Sequence, residues 1–432
     1  MRSMKKLINY FKKNAITVRN YLNLNIIYLS NVIIQLILIP ILIRCYGLEG
    51  YGEYVFLFAF VNYSELFVKF GFDYHLLRFA VENRKNTDLI NKKFGVSVFA
   101  RLVIFTSILP FLILLINLVP AINGIILILL YFTLLKTVLV PLWYFQSINN
   151  LNIISIATFV SNIVLLLVTL TISRSNLPIT YFAAVVLLTS WLQVAIVLLN
   201  KPKEFYLSVD KFNIFICDFK YLFKVSFLNF FSEATQLYTN FTKIIIGLFF
   251  TNDIVAIYEI STRIINFSLM PFATFNQSIY PQVLQNKNVK KVIDTLKIEI
   301  LLIALVVLIL FFMKAFIFQF FSGSDQTGNS YILTILSFTI FAVICNQVLG
   351  FHILYNFGYD SIRANGIIIS SILYLFLLAV GYYLDFPNVL FILVVVLVAE
   401  FTPTIYYLGK LKKLKKQIQR KCVESTVCTQ VS

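Results

Sequence analysis

Along this chain apolar residues gather into blocks of about 20, the length at which an α-helix crosses a hydrocarbon core. Polar residues collect between the blocks. The pattern predicts twelve helical spans, near 22–43, 52–71, 94–117, 122–145, 152–173, 178–199, 222–250, 254–282, 298–320, 330–355, 365–384 and 388–409. The seventh and eighth are long enough to tilt, kink or carry interfacial turns. Short alternating segments, the mark of a strand barrel, are missing from the pattern. The expected fold is therefore all-α: a polytopic membrane protein of about 12 transmembrane helices.

Composition agrees with this. Of 432 residues, 59% are hydrophobic and only 13% charged, too little charge to coat a soluble protein of that size. The charge that exists is sorted by side. Taking the N-terminus as cytoplasmic, 29 of the 36 Lys and Arg fall in the N-terminal leader and alternate inter-span segments, and only Arg44 and Arg174 lie opposite. This is the positive-inside pattern with both termini inside. The net charge of +17 is thus a topology signal, and nucleic acid is not an expected partner. The basic tail beginning at Lys410 is placed to touch anionic lipid head groups.

A faint repeat divides the chain. "GLEGYGEYVFLFAF" and "FFTNDIVAIYEIST" both run from a tight outer turn through a small residue, Gly52 or Ala256, to Tyr54 or Tyr258, an offset of 204 residues. Six spans, a basic linker and six more spans are what a parallel duplication produces. The expected organisation is a six-helix bundle over 1–200, a linker over 201–221, a second bundle over 222–409 and a tail over 410–432, with a central cavity between the bundles.

Several classes of function are excluded by what the loops lack. The predicted outer loops are all short, leaving no place for the catalytic acids of a membrane glycosyltransferase. His75 and His352 are the only histidines, and no phosphate-binding glycine loop occurs, so neither a histidine metal site nor ATP hydrolysis in cis is expected. The five cysteines are scattered, and no cofactor or metal is implied. A non-enzymatic transporter, a channel or a scaffold remains.

Ionisable residues inside spans are costly, so they line water or find partners. Those deep in the predicted spans are Glu65, Arg101, Lys136, Glu233, Lys243, Glu259, Arg263, Lys314 and Glu400. Glu65 with Lys69 and Glu259 with Arg263 have the i,i+4 spacing that puts partners on one helix face. Lys69 and Lys314 lie near span ends, where their stems reach head groups. Arg263 lies roughly 13 Å from the outer end of its span and Lys243 about 10 Å, at the helical rise per residue. Arg101, Lys136, Lys243 and Arg263 are the candidates for a cavity that takes an anion, with Arg263 foremost because a guanidinium grips phosphate bidentately. The alternative is that such pairs merely tolerate burial.

Three stretches resemble a known family. "VKFGFDYHLLRFAVENRKN" carries Gly71, Phe72 and Arg78, as in the segment after the second span of the O-antigen repeat-unit flippases (Wzx-type) of the multidrug/oligosaccharidyl-lipid/polysaccharide exporter superfamily. "PLWYFQSINNLN" matches their span-four end at Trp143, Tyr144, Phe145 and Gln146, and departs at Ser147 and Asn149, where Gly and Glu are usual. "FNQSIYPQVL" matches the end of span eight at Gln277 and Pro281. The resemblance implies alternating access by two rocking bundles in the bacterial inner membrane. The cargo it implies is an undecaprenyl-pyrophosphate-linked glycan, with a polysaccharide polymerase and a chain-length regulator as partners. Arg78 is then the candidate for head-group capture at the cytoplasmic interface, against a simple role in anchoring the amphipathic run 72–93. An H+ or Na+ counter-ion step would draw on Glu65, Glu233 or Glu259. Trp143 and Tyr144 are expected in an aromatic belt at the membrane interface.

Two rivals stay open at this level. A drug or cation exporter of the same superfamily would want an acidic cavity. A non-transporting scaffold for polysaccharide assembly would leave the buried cations without a task.

Overall fold

The computed structural model describes residues 15–428 apart from 84–85, 121, 149, 176, 201–217, 228–229, 231–237, 287–288, 324–326 and 386–387; side chains of 15–26, 28–29, 238–240, 277–286, 289–291 and 415–428 are outside the description. The described residues are helical, as the apolar blocks require, because a chain in hydrocarbon must satisfy its backbone groups within the segment. The chain divides into two compact units, Met1–Ala234 and Thr235–Ser432.

Unit 1 opens with α1 (Ala15–Lys69), which is two helices joined at Gly47. Gly47 has φ 72 and ψ 174, a conformation open to a residue without Cβ. A second left-handed step at Phe70 (φ 44) and Gly71 (φ 64) turns the chain into the short α2 (Phe72–Glu82). There follow α3 (Thr87–Leu118), the pieces α4 (Gly124–Phe132), α5 (Leu135–Leu139) and α6 (Leu142–Ser147), then α7 (Asn152–Ile172) and α8 (Ile179–Leu199). α7 and α8 pack on each other and on α1, and α2 packs on α6.

Unit 2 contains α9 (Tyr238–Phe249), α10 (Asn252–Asn286), α11 (Val289–Ser322), α12 (Tyr331–Ser337), α13 (Thr339–Gln347), a π-helix (Val348–Tyr355), α14 (Asp360–Tyr383) and α15 (Val389–Cys428). α14 and α15 pack closely because Gly366 admits the Tyr407 ring, into which a Cβ there would run.

Nine segments of the described residues are long and apolar enough to cross a membrane, and the first of them holds both helices of α1. The predicted seventh and eighth spans do not qualify. Only 12 residues of α9 are described in the former, and α10 carries Asp253, Glu259 and Arg263 within its first turns.

The predicted fourth and tenth spans are both interrupted. In unit 1 the break falls at Thr133–Leu134, where the amides of both bond carbonyls three residues back, and again at Pro141. In unit 2 it falls at Phe338, whose amide likewise bonds Ile335 O. The two breaks lie about 205 residues apart, consistent with the 204-residue repeat of the tyrosine motif.

The belt expected of Trp143 and Tyr144 is not what the fold makes of them. Trp143 and Phe145 are fully buried and Tyr144 is 2% exposed. The Tyr144 hydroxyl donates to Asn91 Oδ1 at 3.0 Å, and Phe94 packs on both the Trp143 and Tyr144 rings. A belt residue needs one wet end, whereas α2 and α3 take up the space around these rings.

Candidate functional site

Unit 1 gathers five charged groups around its broken span. α5 carries Lys136 and Thr137 between the two interruptions. Because Pro141 has no amide hydrogen, the carbonyl of Thr137, one turn earlier, loses its helical partner. Arg101 of α3 replaces it: Nη1 donates to Thr137 O at 2.8 Å, and Nη2 pairs with Asp73 Oδ1 at 2.5 Å. Asp73 lies in the first turn of α2, so one guanidinium, 1% exposed, ties the interfacial helix to the break.

Glu65 completes the group. Its Oε1 accepts from Lys69 Nζ at 2.9 Å and from Thr137 Oγ1 at 3.0 Å. Lys136 lies within electrostatic range of Glu65, yet its side chain makes no hydrogen bond or ion pair among the described residues. Two carboxylates therefore face three cations, and Lys136 is the surplus charge.

Unit 2 centres its charges on α10, which carries Glu259 and Arg263, with Lys243 reaching in from α9. Glu259 of α10 sits between two cations, with Oε2 2.6 Å from Lys243 Nζ and Oε1 2.6 Å from Arg263 Nε. The Glu259 and Lys243 side chains are 4% and 11% exposed, whereas that of Arg263 is 30% exposed. Glu400 of α15 acts electrostatically on Tyr258, the neighbour of Glu259, so with it counted the charges balance. Nearby, the hydroxyls of Thr242 and Tyr374 share a hydrogen bond of 2.8 Å.

The i,i+4 pairs read from the sequence are thus both formed. Of the four candidate anion-holding cations, the structure brings Arg101 together with Lys136, and Lys243 together with Arg263. Arg78 stands on the exposed face of α2, paired with Glu82 at 2.9 Å. Glu233 lies outside the described residues, as do the side chains of Gln277 and Pro281. Lys314 lies over the Phe311 ring on α11. Among the described residues no three His, Cys, Asp or Glu are placed to share a metal ion.

Two participants are not candidates from the sequence alone: Asp73 and Thr137. The signal for Thr137 was present, since a proline four residues on marks a carbonyl that needs a foreign donor. Nothing local in the sequence joins Asp73 to Arg101, 28 residues away.

Comparisons with known proteins agree with the fold. The model of the family described as "Polysaccharide biosynthesis protein" matches residues 17–287. A protein of Escherichia coli (strain K12) named "Putative O-antigen transporter" is 22% identical over 384 residues, which cover 83% of this chain and 88% of that one. Two solved structures share the fold. A lipid II flippase, MurJ, in an inward closed conformation superposes with a TM-score of 0.63 at 13% identity, over 94% of this chain and 91% of the other. An inward-facing MATE family multidrug resistance transporter of the MOP superfamily gives 0.62 at 12% identity, over 90% and 98%.

Proposed function

We propose, from the premise that this chain belongs to the polysaccharide biosynthesis protein family, that it is a flippase for undecaprenyl-pyrophosphate-linked oligosaccharide repeat units. In this reading it moves them from the cytoplasmic to the periplasmic leaflet of a bacterial inner membrane, by alternating access. The observation that carries the reading is the pair of intramembrane clusters, and above all the surplus Lys136 beside the broken span. Moving the pyrophosphate through hydrocarbon unaided costs several kcal/mol for each charge. Fixed cations replace the lost hydration of the head group, while the polyprenyl tail stays in lipid.

Lys136 and the partly exposed Arg263 hold the anion in this scheme, and Lys243 orients Arg263 through Glu259. Arg101 contributes by fixing the break that presents Lys136. The bundles over 1–200 and 222–409 carry the alternating access in this scheme, with the linker over 201–221 and the basic tail as their connecting and trailing segments. Arg78 meets the head group at the cytoplasmic face, where both termini lie. An inside-negative potential favours outward movement of the anion by ~2.3 kcal/mol per charge per 100 mV.

The test is transport in proteoliposomes that expose lipid-linked oligosaccharide to an external probe. Wild-type protein delivers it; Lys136→Ala and Arg263→Ala each slow delivery by about tenfold or more, the equivalent of one charged hydrogen bond. If both variants transport at the wild-type rate, the cationic clusters do not hold the substrate. If the wild type delivers nothing, the flippase reading fails and a scaffold role is favoured.

A further inference from the structure

One buried acid in unit 2 has no part in either cluster. Glu299 of α11 is 2% exposed, and both of its carboxyl oxygens are buried without a hydrogen-bond partner among the described residues. Its polar neighbour is Asn276 of α10, 1% exposed, whose side-chain amide acts on the carboxyl although its Nδ2 stands outside strict hydrogen-bond geometry. The elements packed on α11 are α10, α12, α13 and the π-helix. From α13 the Cys345 thiol lies in electrostatic range; the buried His352 of the π-helix is not among the groups acting on the carboxyl. No cation of the described residues reaches it.

Glu259 supplies the contrast within the same unit. It is as deeply buried, but two cations 2.6 Å away support its negative charge. An ionised carboxylate with no counter-charge, and only one neutral amide beside it, costs several kcal/mol in a low-dielectric interior. The neutral acid avoids that cost. It also offers one O–H donor and one carbonyl acceptor, which complement the acceptor and donors of a carboxamide.

We propose that Glu299 is a proton-binding site of unit 2, its carboxyl neutral and set against the Asn276 amide. Binding and release are a plain exchange between the carboxylic acid and a carboxylate plus a proton, with no other reactant. The proposal holds whatever cargo the protein carries. It also turns the search for proton coupling away from Glu259, which the two cations keep charged.

Infrared spectroscopy of the purified full chain in lipid nanodiscs at about pH 7 tests this. The carbonyl-stretch band of protonated carboxylic acids is compared among wild type, Glu299→Gln and Glu259→Gln. The expected result is a buried-acid component that is lost in Glu299→Gln and kept in Glu259→Gln. The proposal is overturned if the Glu299→Gln spectrum superimposes on wild type, or if the component disappears with Glu259 instead. It is equally overturned if Glu299→Gln fails to fold, because a carboxamide fills the place of a neutral carboxyl without adding charge.

Discussion

Both units meet the same backbone problem and solve it with different chemistry. Pro141 in unit 1 and Pro403 in unit 2 each deprive a carbonyl one turn earlier of its helical donor. In unit 2 the orphan is Ala399 O, and the Ser370 hydroxyl of the neighbouring helix donates to it at 2.6 Å. In unit 1 the orphan is Thr137 O, and the donor is the guanidinium of Arg101. A hydroxyl ends its work at the carbonyl. A guanidinium has further donors, and Arg101 uses one of them on Asp73, so the unit 1 break is joined to α2 and set among charges. The broken span of unit 1 is an electrostatic junction, whereas the proline site of unit 2 is local repair. The unit 2 charges lie elsewhere, around Glu259 of α10, where Lys243 of α9 and Arg263 of α10 meet it.

The largest expected effect tests that junction. Arg101→Met strips Thr137 O and Asp73 of their donor at once, and removing one member of a buried pair costs about 3–5 kcal/mol. Thermal unfolding in detergent should show the loss, and Arg101→Lys should restore only part of it, since a single ammonium does not reproduce the fork. A drop as small as that of a surface substitution would reduce the junction to a packing contact.

Glu259→Gln comes next. It leaves Lys243 and Arg263 facing each other without the carboxylate between them, at a cost of about 3 kcal/mol for the uncompensated charge. The double variant Glu259→Gln with Lys243→Met should recover much of it; additive losses would mean that the three groups are not one cluster. Ser370→Ala is milder, about 1–3 kcal/mol for one unsatisfied carbonyl. A Ser370→Ala loss equal to that of Arg101→Met would erase the distinction between junction and repair.

The sequence discloses the spans well because the apolar blocks are dictated by the bilayer alone. The i,i+4 pairs Glu65–Lys69 and Glu259–Arg263 are equally legible, since a helix brings such residues together without help from any other element. Contacts between helices are not. Asp73 lies in a segment that reads as an amphipathic surface run, and only packing brings it to Arg101. Trp143 and Tyr144 mislead for a related reason. Aromatics at a span end suggest a lipid interface, but here α2 folds back over them and the rings become core. Glu299 is hidden too, because it falls at the start of a predicted span beside a basic loop, where an exposed, paired acid is the natural reading.

The smallest expected effect on stability is also the most pointed. Lys136 belongs to the same cluster as Arg101, but the two differ in what would be lost with them. Arg101 has a carbonyl and a carboxylate depending on it, whereas no described group relies on Lys136 for a hydrogen bond. Replacing it with Met keeps the length of the stem, removes the surplus charge and leaves Glu65 still held by Lys69 and Thr137. The unfolding free energy should therefore stay within about 0.5 kcal/mol of wild type, as for substitutions that break no named interaction, or rise slightly as desolvation of a charge is avoided. Transport in the proteoliposome assay should fall all the same. A residue whose removal leaves the fold intact and stops the cargo is one the fold carries for the substrate. If Lys136→Met instead unfolds the protein as readily as Arg101→Met does, the third cation is structural and unit 1 holds no spare charge for an anion.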